Sequence, residues 1–155
     1  MSKGIGKSER ASQDRVIQLF QTELGYTYLG DWEKEVRTQP IERNVLMDYL
    51  LREGYSADQS HKAIDKLVKA ASNLSNGLYE TNKEVYHLLR YGVTVREELG
   101  QPKETVWLID WKDLESNQFA VAEEVTVQGK HTKRPDVVIY VNGIALGVLE
   151  LKRSK

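Results

Sequence analysis

The closing stretch, "RPDVVIYVNGIALGVLELKRSK", constrains the fold more than any other part of the chain. Two runs of apolar, largely β-branched residues flank Asn142 and Gly143, and an Asn-Gly pair between such runs predicts a β-hairpin. Because neither run alternates with polar residues, we expect both strands to be buried on two faces, in the centre of a sheet. Asp136, Glu150 and Lys152 nevertheless place three charges at the ends of these strands.

The register of the hairpin decides whether these charges can meet. A two-residue turn would place Glu150 on the opposite face from Asp136. A three-residue connection, with Gly143 as a left-handed bulge residue, would pair Tyr140 with Ile144. Both carboxylates and the following lysine would then share one face at one end of the sheet. We therefore predict the bulged turn.

Such a cluster has a definite chemistry. Two carboxylates within reach of one point form a hard-oxygen site suited to Mg²⁺ or Mn²⁺, and the backbone carbonyl of Leu151 could add a third oxygen. Lys152 beside the metal could orient or deprotonate a water molecule, or stabilise developing charge, as phosphodiester hydrolysis requires. An ion pair that closes a sheet edge fits the same spacing, and this alternative stays open.

Upstream, the hydrophobic pattern first has the period of a helix. It predicts four helices, over residues 9–24, 41–53, 57–71 and 81–91. Ser56 is the predicted N-cap of the third helix, and residues 26–40 are predicted as a loop. From Val93 the period changes to two, which is typical of strands. We predict five strands, over residues 93–97, 105–110, 119–127, 136–141 and 145–151.

Composition excludes several function classes. The 155-residue chain has no cysteine and a net charge of −1, so thiolate metal sites are excluded and any nucleic-acid surface must be local. No apolar run is long enough to span a membrane, and a cytoplasmic location is expected.

"GIGKS" near the start lacks the first glycine of a phosphate-binding loop, so no ATP site is predicted there. Four basic residues are either a solvated end or candidate phosphate contacts to DNA: Lys130, Lys133, Arg134 and Arg153.

The spacing from Pro135-Asp136 to Glu150-Leu151-Lys152 resembles the PD-(D/E)XK nuclease signature. The longer stretch "NQFAVAEEVTVQGKHTKRPDVVIYVNGIALGVLELKRSK" resembles the N-terminal nuclease region of the restriction (R, motor) subunit of type I restriction-modification enzymes. "SERASQDRVIQLFQTELGYTYLGDW" is similar to the opening helix of that family, including Glu9 and Gln13 of its Glu-Arg-x-x-Gln pattern. "EVYHLLRYGV" and "VWLIDW" resemble its middle, so the resemblance covers nearly the whole chain.

The resemblance implies an α/β fold with a restriction-endonuclease-like (PD-(D/E)XK) core. This core would have a mixed central sheet over residues 93–151, an N-terminal helix and an inserted helical segment over residues 41–91. It also implies that Asp136 and Glu150 bind the metal, that Lys152 is catalytic, and that Glu9 lies beside the metal site. The implied activity is that of a type I site-specific deoxyribonuclease, which cuts double-stranded DNA without reading sequence itself.

In that family the nuclease domain continues beyond the Glu-x-Lys strand and is followed by helicase-like ATPase domains, where ATP binds. The methyltransferase and specificity subunits are the implied partners. We therefore expect this chain to be a partial nuclease domain, truncated after the catalytic hairpin, with weak or no activity alone and a tendency to form homodimers. The alternative is a non-cleaving DNA- or subunit-binding module of the same fold. A third possibility, an unrelated nuclease such as a junction resolvase, is disfavoured by the helical segment.

Overall fold

The computed structural model describes residues 5–129 and 131–152, which form two compact units. The helices are α1 Ile5–Thr22, α2 Arg43–Arg52, α3 Ala57–Ser72 and α4 Leu78–Tyr91. The strands are β1 Thr27–Asp31, β2 Val36–Arg37, β3 Val93–Val95, β4 Glu104–Val106, β5 Phe119–Glu123, β6 Thr126–Gln128, β7 Thr132–Lys133, β8 Val137–Val141 and β9 Ile144–Leu149. In the described part of the chain, no helix has both the length and the hydrophobicity of a membrane span.

The first unit, here called the sheet unit, contains the described residues of 1–38, 118–141 and 145–155. Its main sheet has the order β1-β5-β8-β9. Strand β1 runs parallel to β5, and β5 runs antiparallel to β8, so the main sheet is mixed, as predicted. The predicted bounds of residues 93–151 are wrong, because the main sheet includes β1 and excludes β3 and β4, which form a separate sheet. A smaller sheet has the order β2-β6-β7.

The main sheet has an apolar cluster on each face. Ile17 and Phe20 of α1 pack on one face, against Val121 and Val137. On the other face, the buried alanines and valines of β5 and β8 pack together with Tyr140 and Trp32. Each fully buried valine or isoleucine contributes about 1.5–3 kcal/mol relative to an exposed one. These contacts hold α1 against the main sheet beside Val137, the residue that follows Asp136.

The second unit, here called the helical unit, contains residues 39–117 and 142–144. Helix α3 packs between α2 and α4 and also contacts strand β3, which pairs antiparallel with β4. Ser56 caps α3 as predicted, because its side chain accepts the N–H of Gln59 and the Gln59 side chain accepts the N–H of Ser56. Leu46, Leu50 and Leu67 are fully buried in the core.

Several element boundaries differ from the prediction. The loop predicted over residues 26–40 contains β1 and β2, whose pairing partners lie about 90 residues further along and could not be seen locally. The strand predicted over residues 119–127 is broken into β5 and β6 at Glu124, which has a positive φ of 51°. Helix α4 begins at Leu78, three residues earlier than predicted.

The central position predicted for both strands of the hairpin is wrong for β9. Within the described residues, β9 lies at the edge of the main sheet. Its side chains Leu146 and Val148 are 48% and 60% exposed. The run of consecutive apolar residues in β9 therefore does not mean that both faces of this strand are covered.

The predicted bulged turn is also wrong. Strand β8 ends at Val141 and β9 begins at Ile144, so the connection has two residues. Asn142 and Gly143 have φ values of 52° and 80°, and positive φ at both positions is the signature of a type I′ turn. The type I′ twist matches the twist of the strands, and this local preference decided the geometry.

The apolar residues of β9 contact both clusters of the main sheet. Near the turn, Ala145 packs against the cluster that contains Val138 and Tyr140. Further along, Leu149 packs against the opposite cluster, with Val137. From Ala145 to Leu149, partly buried residues alternate regularly with exposed ones, as expected for a strand with one covered face.

Asp136 and Glu150 lie just outside the two strands of the hairpin. Asp136 precedes Val137 and Glu150 follows Leu149, and both apolar residues face α1. Gly147 has no side chain, and a methyl group there would lie 3.5 Å from Ile139 Cδ1.

Candidate active site

The carboxylate of Asp136 is bonded to the segment that carries the other two predicted residues. Its Oδ2 atom accepts a hydrogen bond from the backbone N–H of Leu151 at 2.5 Å. Leu151 lies between Glu150 and Lys152, so this bond joins the start of β8 to the residues that follow β9. Asp136 is half-buried, whereas the side chains of Glu150 and Lys152 are exposed.

The backbone of Asp136 is held from the neighbouring strand. Its carbonyl oxygen accepts the N–H of Glu124 at 3.0 Å. Glu124 is the residue whose left-handed conformation ends β5, and Glu123 immediately before it lies opposite Val137 in the β5–β8 ladder. The break between β5 and β6 thus lies beside Asp136.

Gln13 of α1 connects the helix to this strand end. Its side chain is buried, with 3% exposure, and its Nε2 atom donates to Glu123 Oε2 at 2.7 Å and to Glu124 Oε1 at 3.1 Å. The same nitrogen lies 3.5 Å from the carbonyl oxygen of Asp136, at the long end of the hydrogen-bond range. One amide therefore holds two carboxylates and approaches the backbone of the candidate metal ligand.

Glu123 is a buried carboxylate with several partners. It is 4% exposed, and the Tyr28 hydroxyl donates to its Oε1 atom at 2.8 Å. Arg10 Nη1 lies 3.4 Å from its Oε2 atom. Burial, and then the hydrogen bond to Glu123 and its charge, raise the pKa of Tyr28 to about 12, so this hydroxyl stays protonated as a donor at neutral pH.

The remaining predicted site residue on α1, Glu9, is half-buried. It precedes Gln13 by four residues, and residues at this spacing share one face of a helix. Glu9 therefore lies on the same side of α1 as the amide that approaches Asp136. Its role beside a metal stays a prediction.

The predicted DNA contacts have mixed placements. Arg134 pairs with Glu33 at 2.7 Å and with Glu124 at 3.0 Å, so a phosphate group would compete with two carboxylates for this guanidinium. Lys133 is exposed on β7. Lys130 and Arg153 lie outside the described residues.

The donor set fits a magnesium or manganese ion. Among the described residues there is no group of three or more histidine, cysteine or acidic side chains that could hold a metal. Mg²⁺ is, however, commonly bound through one or two carboxylates together with water and substrate phosphates. The Asp136 carboxylate, bonded to the backbone N–H of the residue that follows Glu150, is compatible with that smaller set.

The tip of the hairpin is fixed inside the helical unit. Asn142 is fully buried, and its Nδ2 atom donates to the Leu108 carbonyl at 3.0 Å and to Asn117 Oδ1 at 2.9 Å. The Gly143 carbonyl accepts the N–H of Glu42 at 2.7 Å. The left-handed turn is thus held by both of its residues.

Sequence reasoning missed Glu123 and the contact made by Gln13. The available signal was a carboxylate at the end of the apolar run "FAVAE". A charge in such a position is almost never buried without partners. It therefore predicts a polar side chain packed against it, and a buried glutamine on an otherwise amphipathic helix is a suitable donor.

Replacing Gln13 by leucine should lower the free energy of unfolding by about 2 kcal/mol, because the buried Glu123 loses a hydrogen-bond donor. Gln18→Leu, an exposed glutamine on the same helix, is the matched control and should change it by less than about 0.5 kcal/mol. Urea denaturation of the two variants measures the difference. Equal effects would contradict a role for the Gln13 amide.

The fold and the site define the class: a mixed α/β protein with two carboxylates and a lysine-bearing segment at the open end of a β-hairpin. The chain belongs to the family described as type I restriction enzyme R protein N terminus, which matches residues 6–155. The resemblance drawn from the sequence motifs is thereby confirmed for the family.

Individual relatives agree with this membership. The chain is 38% identical over 95 residues to the type I restriction enzyme HindI endonuclease subunit of Haemophilus influenzae, covering 58% of this chain and 9% of that protein. It is 27% identical over 140 residues to a protein of Methanocaldococcus jannaschii provisionally named the type I restriction enzyme MjaVIIIP endonuclease subunit, covering 84% of this chain and 13% of that protein. The chain thus spans only a small part of these relatives. No solved structure matches it.

Proposed function

We propose that the sheet unit carries the nuclease site of a type I restriction R subunit, with a restriction-endonuclease-like core. The reaction is metal-dependent hydrolysis of phosphodiester bonds in double-stranded DNA, without sequence reading by this domain. The observation that carries the proposal is the hydrogen bond from Leu151 to the Asp136 carboxylate. It joins the two halves of the nuclease signature in space, and the family membership supports the same assignment.

Each residue has a proposed role. Asp136 and Glu150, with the backbone carbonyl of Leu151, would hold Mg²⁺ or Mn²⁺, and Glu9 would lie beside them. A bound ion would supply a more acidic water and neutralise charge on the phosphate. Lys152 would orient that water or stabilise the negative charge that develops on the phosphorus oxygens.

The proposal extends to the whole protein. In the longer subunit, cutting would be coupled to ATP-driven translocation by helicase domains, within a complex that contains methyltransferase and specificity subunits in the cytoplasm. Lys133 and Arg134 are proposed contacts to the DNA backbone, as are Lys130 and Arg153. The chain by itself would cut weakly or not at all, and could form homodimers.

A second candidate is a non-cleaving DNA- or subunit-binding module of the same fold. It is favoured by the absence, among the described residues, of any group of three or more side chains suited to a metal. Calorimetric titration of the chain with Mn²⁺ separates the two candidates. Binding that is lost in Glu150→Gln supports the nuclease, and no binding at millimolar Mn²⁺ supports the module.

Replacing Lys152 by alanine in the full-length subunit, assembled with its partners, should lower DNA cleavage by about 10²-fold, because one source of transition-state charge stabilisation is lost. DNA-stimulated ATP hydrolysis should be unchanged. The matched control is Lys34→Ala, an exposed lysine of the same unit, which should cut normally. Full cleavage by Lys152→Ala would mean that Lys152 is only part of a surface ion pair.

A further inference from the structure

The helical unit contains a cavity of about 560 Å³ that the proposed nuclease function does not use. Four aromatic side chains line it: Tyr49, Tyr55, Trp107 and Trp111. Its volume lies in the range of small-ligand sites and is far too small for a DNA duplex.

The two tryptophans are held by hydrogen bonds, through the indole of Trp111 and the backbone of Trp107, and both rings are only partly covered. Each is 44% exposed. Trp111 donates its Nε1–H to the Leu89 carbonyl at 2.8 Å, and the backbone N–H of Trp107 donates to the Tyr55 hydroxyl at 3.0 Å. Large, half-exposed aromatic rings in a cavity are the usual composition of a binding site, because a planar ligand can cover them and they have few rotatable bonds to fix.

Charged groups of both signs complete the lining. Glu53 and Asp110 supply carboxylates, and Arg90 and Lys112 supply cations. The guanidinium carbon of Arg90 lies 5.2 Å from the centre of the Trp111 ring. The backbone N–H groups of Asp113 and Lys112 donate to Asp110 and lower its pKa, so this side chain remains an ionised acceptor at neutral pH.

We propose that this cavity binds one nucleotide. The base would stack on the indoles of Trp107 and Trp111, as bases do on aromatic side chains in other proteins. The carboxylates of Glu53 and Asp110 would accept hydrogen bonds from the amino groups of the base, as acidic side chains do in base recognition. Arg90 and Lys112 bind the phosphate.

The combination of groups selects this ligand over others. An aliphatic ligand would form no hydrogen bond with any of the four charged groups, and a simple anion would not use the aromatic walls. A long nucleic acid is disfavoured, because residues 39–117 contain ten basic and thirteen acidic residues. A free nucleotide and a single unpaired nucleotide of a DNA strand present the same chemistry, and they are the two possible sources.

The test is calorimetric titration of the 155-residue chain with ATP and, separately, with a single-stranded oligodeoxyadenylate. We expect at least one of them to bind. Trp107→Leu and Arg90→Ala should each weaken that binding by about tenfold or more, as expected from the loss of one base stack or one charged contact. The matched controls are Tyr79→Leu and Arg96→Ala, exposed residues of the same unit that do not line the cavity.

Each outcome decides a separate point. Binding of ATP but not of the oligonucleotide identifies a free nucleotide as the ligand, and the reverse identifies the DNA strand. Competition by inorganic triphosphate but not by adenosine would overturn the proposal, because the base would then not be recognised. Absence of binding of both probes at millimolar concentration would also overturn it, as would equal effects of the cavity and control variants. If Trp107→Leu has an altered circular dichroism spectrum, the decision rests on Arg90→Ala, which changes an exposed side chain.

Discussion

DNA cleavage by the full-length subunit in its complex should fall by about 10³-fold when Asp136 is replaced by asparagine or by alanine. Both substitutions remove the negative charge that would hold the metal, and neither neutral side chain can replace it. The expected loss exceeds that for Lys152→Ala, because Asp136 would bind the proposed ion and also accepts the hydrogen bond from Leu151, next to Glu150.

The two substitutions differ in what they do to the hairpin. Asparagine keeps a side-chain oxygen that can accept the N–H of Leu151, whereas alanine leaves that N–H without its partner. Amide hydrogen exchange at Leu151 should therefore be unchanged in Asp136→Asn and faster in Asp136→Ala. A shared loss of cleavage with different exchange would separate the role of the charge from the role of the hydrogen bond.

DNA-stimulated ATP hydrolysis by the same complexes is the internal control and should remain at the level of the unchanged protein. Glu23→Gln, which neutralises an exposed carboxylate of the sheet unit, should cut normally. Cleavage by Asp136→Asn within tenfold of normal would leave the ion-pair interpretation of these charges as the better one.

The second large effect concerns stability. Gly143→Ala should lower the free energy of unfolding by about 3 kcal/mol. Gly143 has a φ of +80°, where a side chain costs about 1–2 kcal/mol. A Cβ atom there would also lie 2.8 Å from the Glu42 carbonyl oxygen and 2.9 Å from Val45 Cβ. Overpacking against such neighbours typically adds about 1–3 kcal/mol.

Gly54 provides a matched control in the same unit. Its φ of +93° is equally unfavourable for alanine, but a Cβ atom there would meet nothing within 4 Å. Gly54→Ala should therefore show only the conformational cost, about 1 kcal/mol. Urea denaturation of both variants measures the difference, and equal effects would mean that the turn moves to accommodate the methyl group.

Local signals predicted the helices well. The Ser56 cap, the Gly54 and Gly92 termini and the apolar stripes are properties of neighbouring residues, and the sequence contains them directly. Strands β1 and β2 were missed because they are short and pair with partners far along the chain. Their stability comes from those partners and not from their own residues.

The hairpin shows where reasoning from chemistry fails. The Asn-Gly pair itself favours a two-residue turn, whereas the bulged turn is the one that would bring the charges together. The structure has the two-residue turn, with positive φ at both residues. The N–H of Leu151 nevertheless bonds to Asp136, and a common face for Asp136 and Glu150 stays a prediction.

The tip of the closing hairpin, residues 142–144, belongs to the helical unit, whereas the residues before and after it belong to the sheet unit. The helical unit is therefore not a removable insertion. Joining residue 38 directly to residue 118 would delete Glu42, Leu108 and Asn117, which hold the turn, and would leave Asn142 with unsatisfied polar groups. A family member that lacks the segment between residues 38 and 118 would need a different turn sequence. The helical unit and the hairpin sequence should therefore change together in evolution.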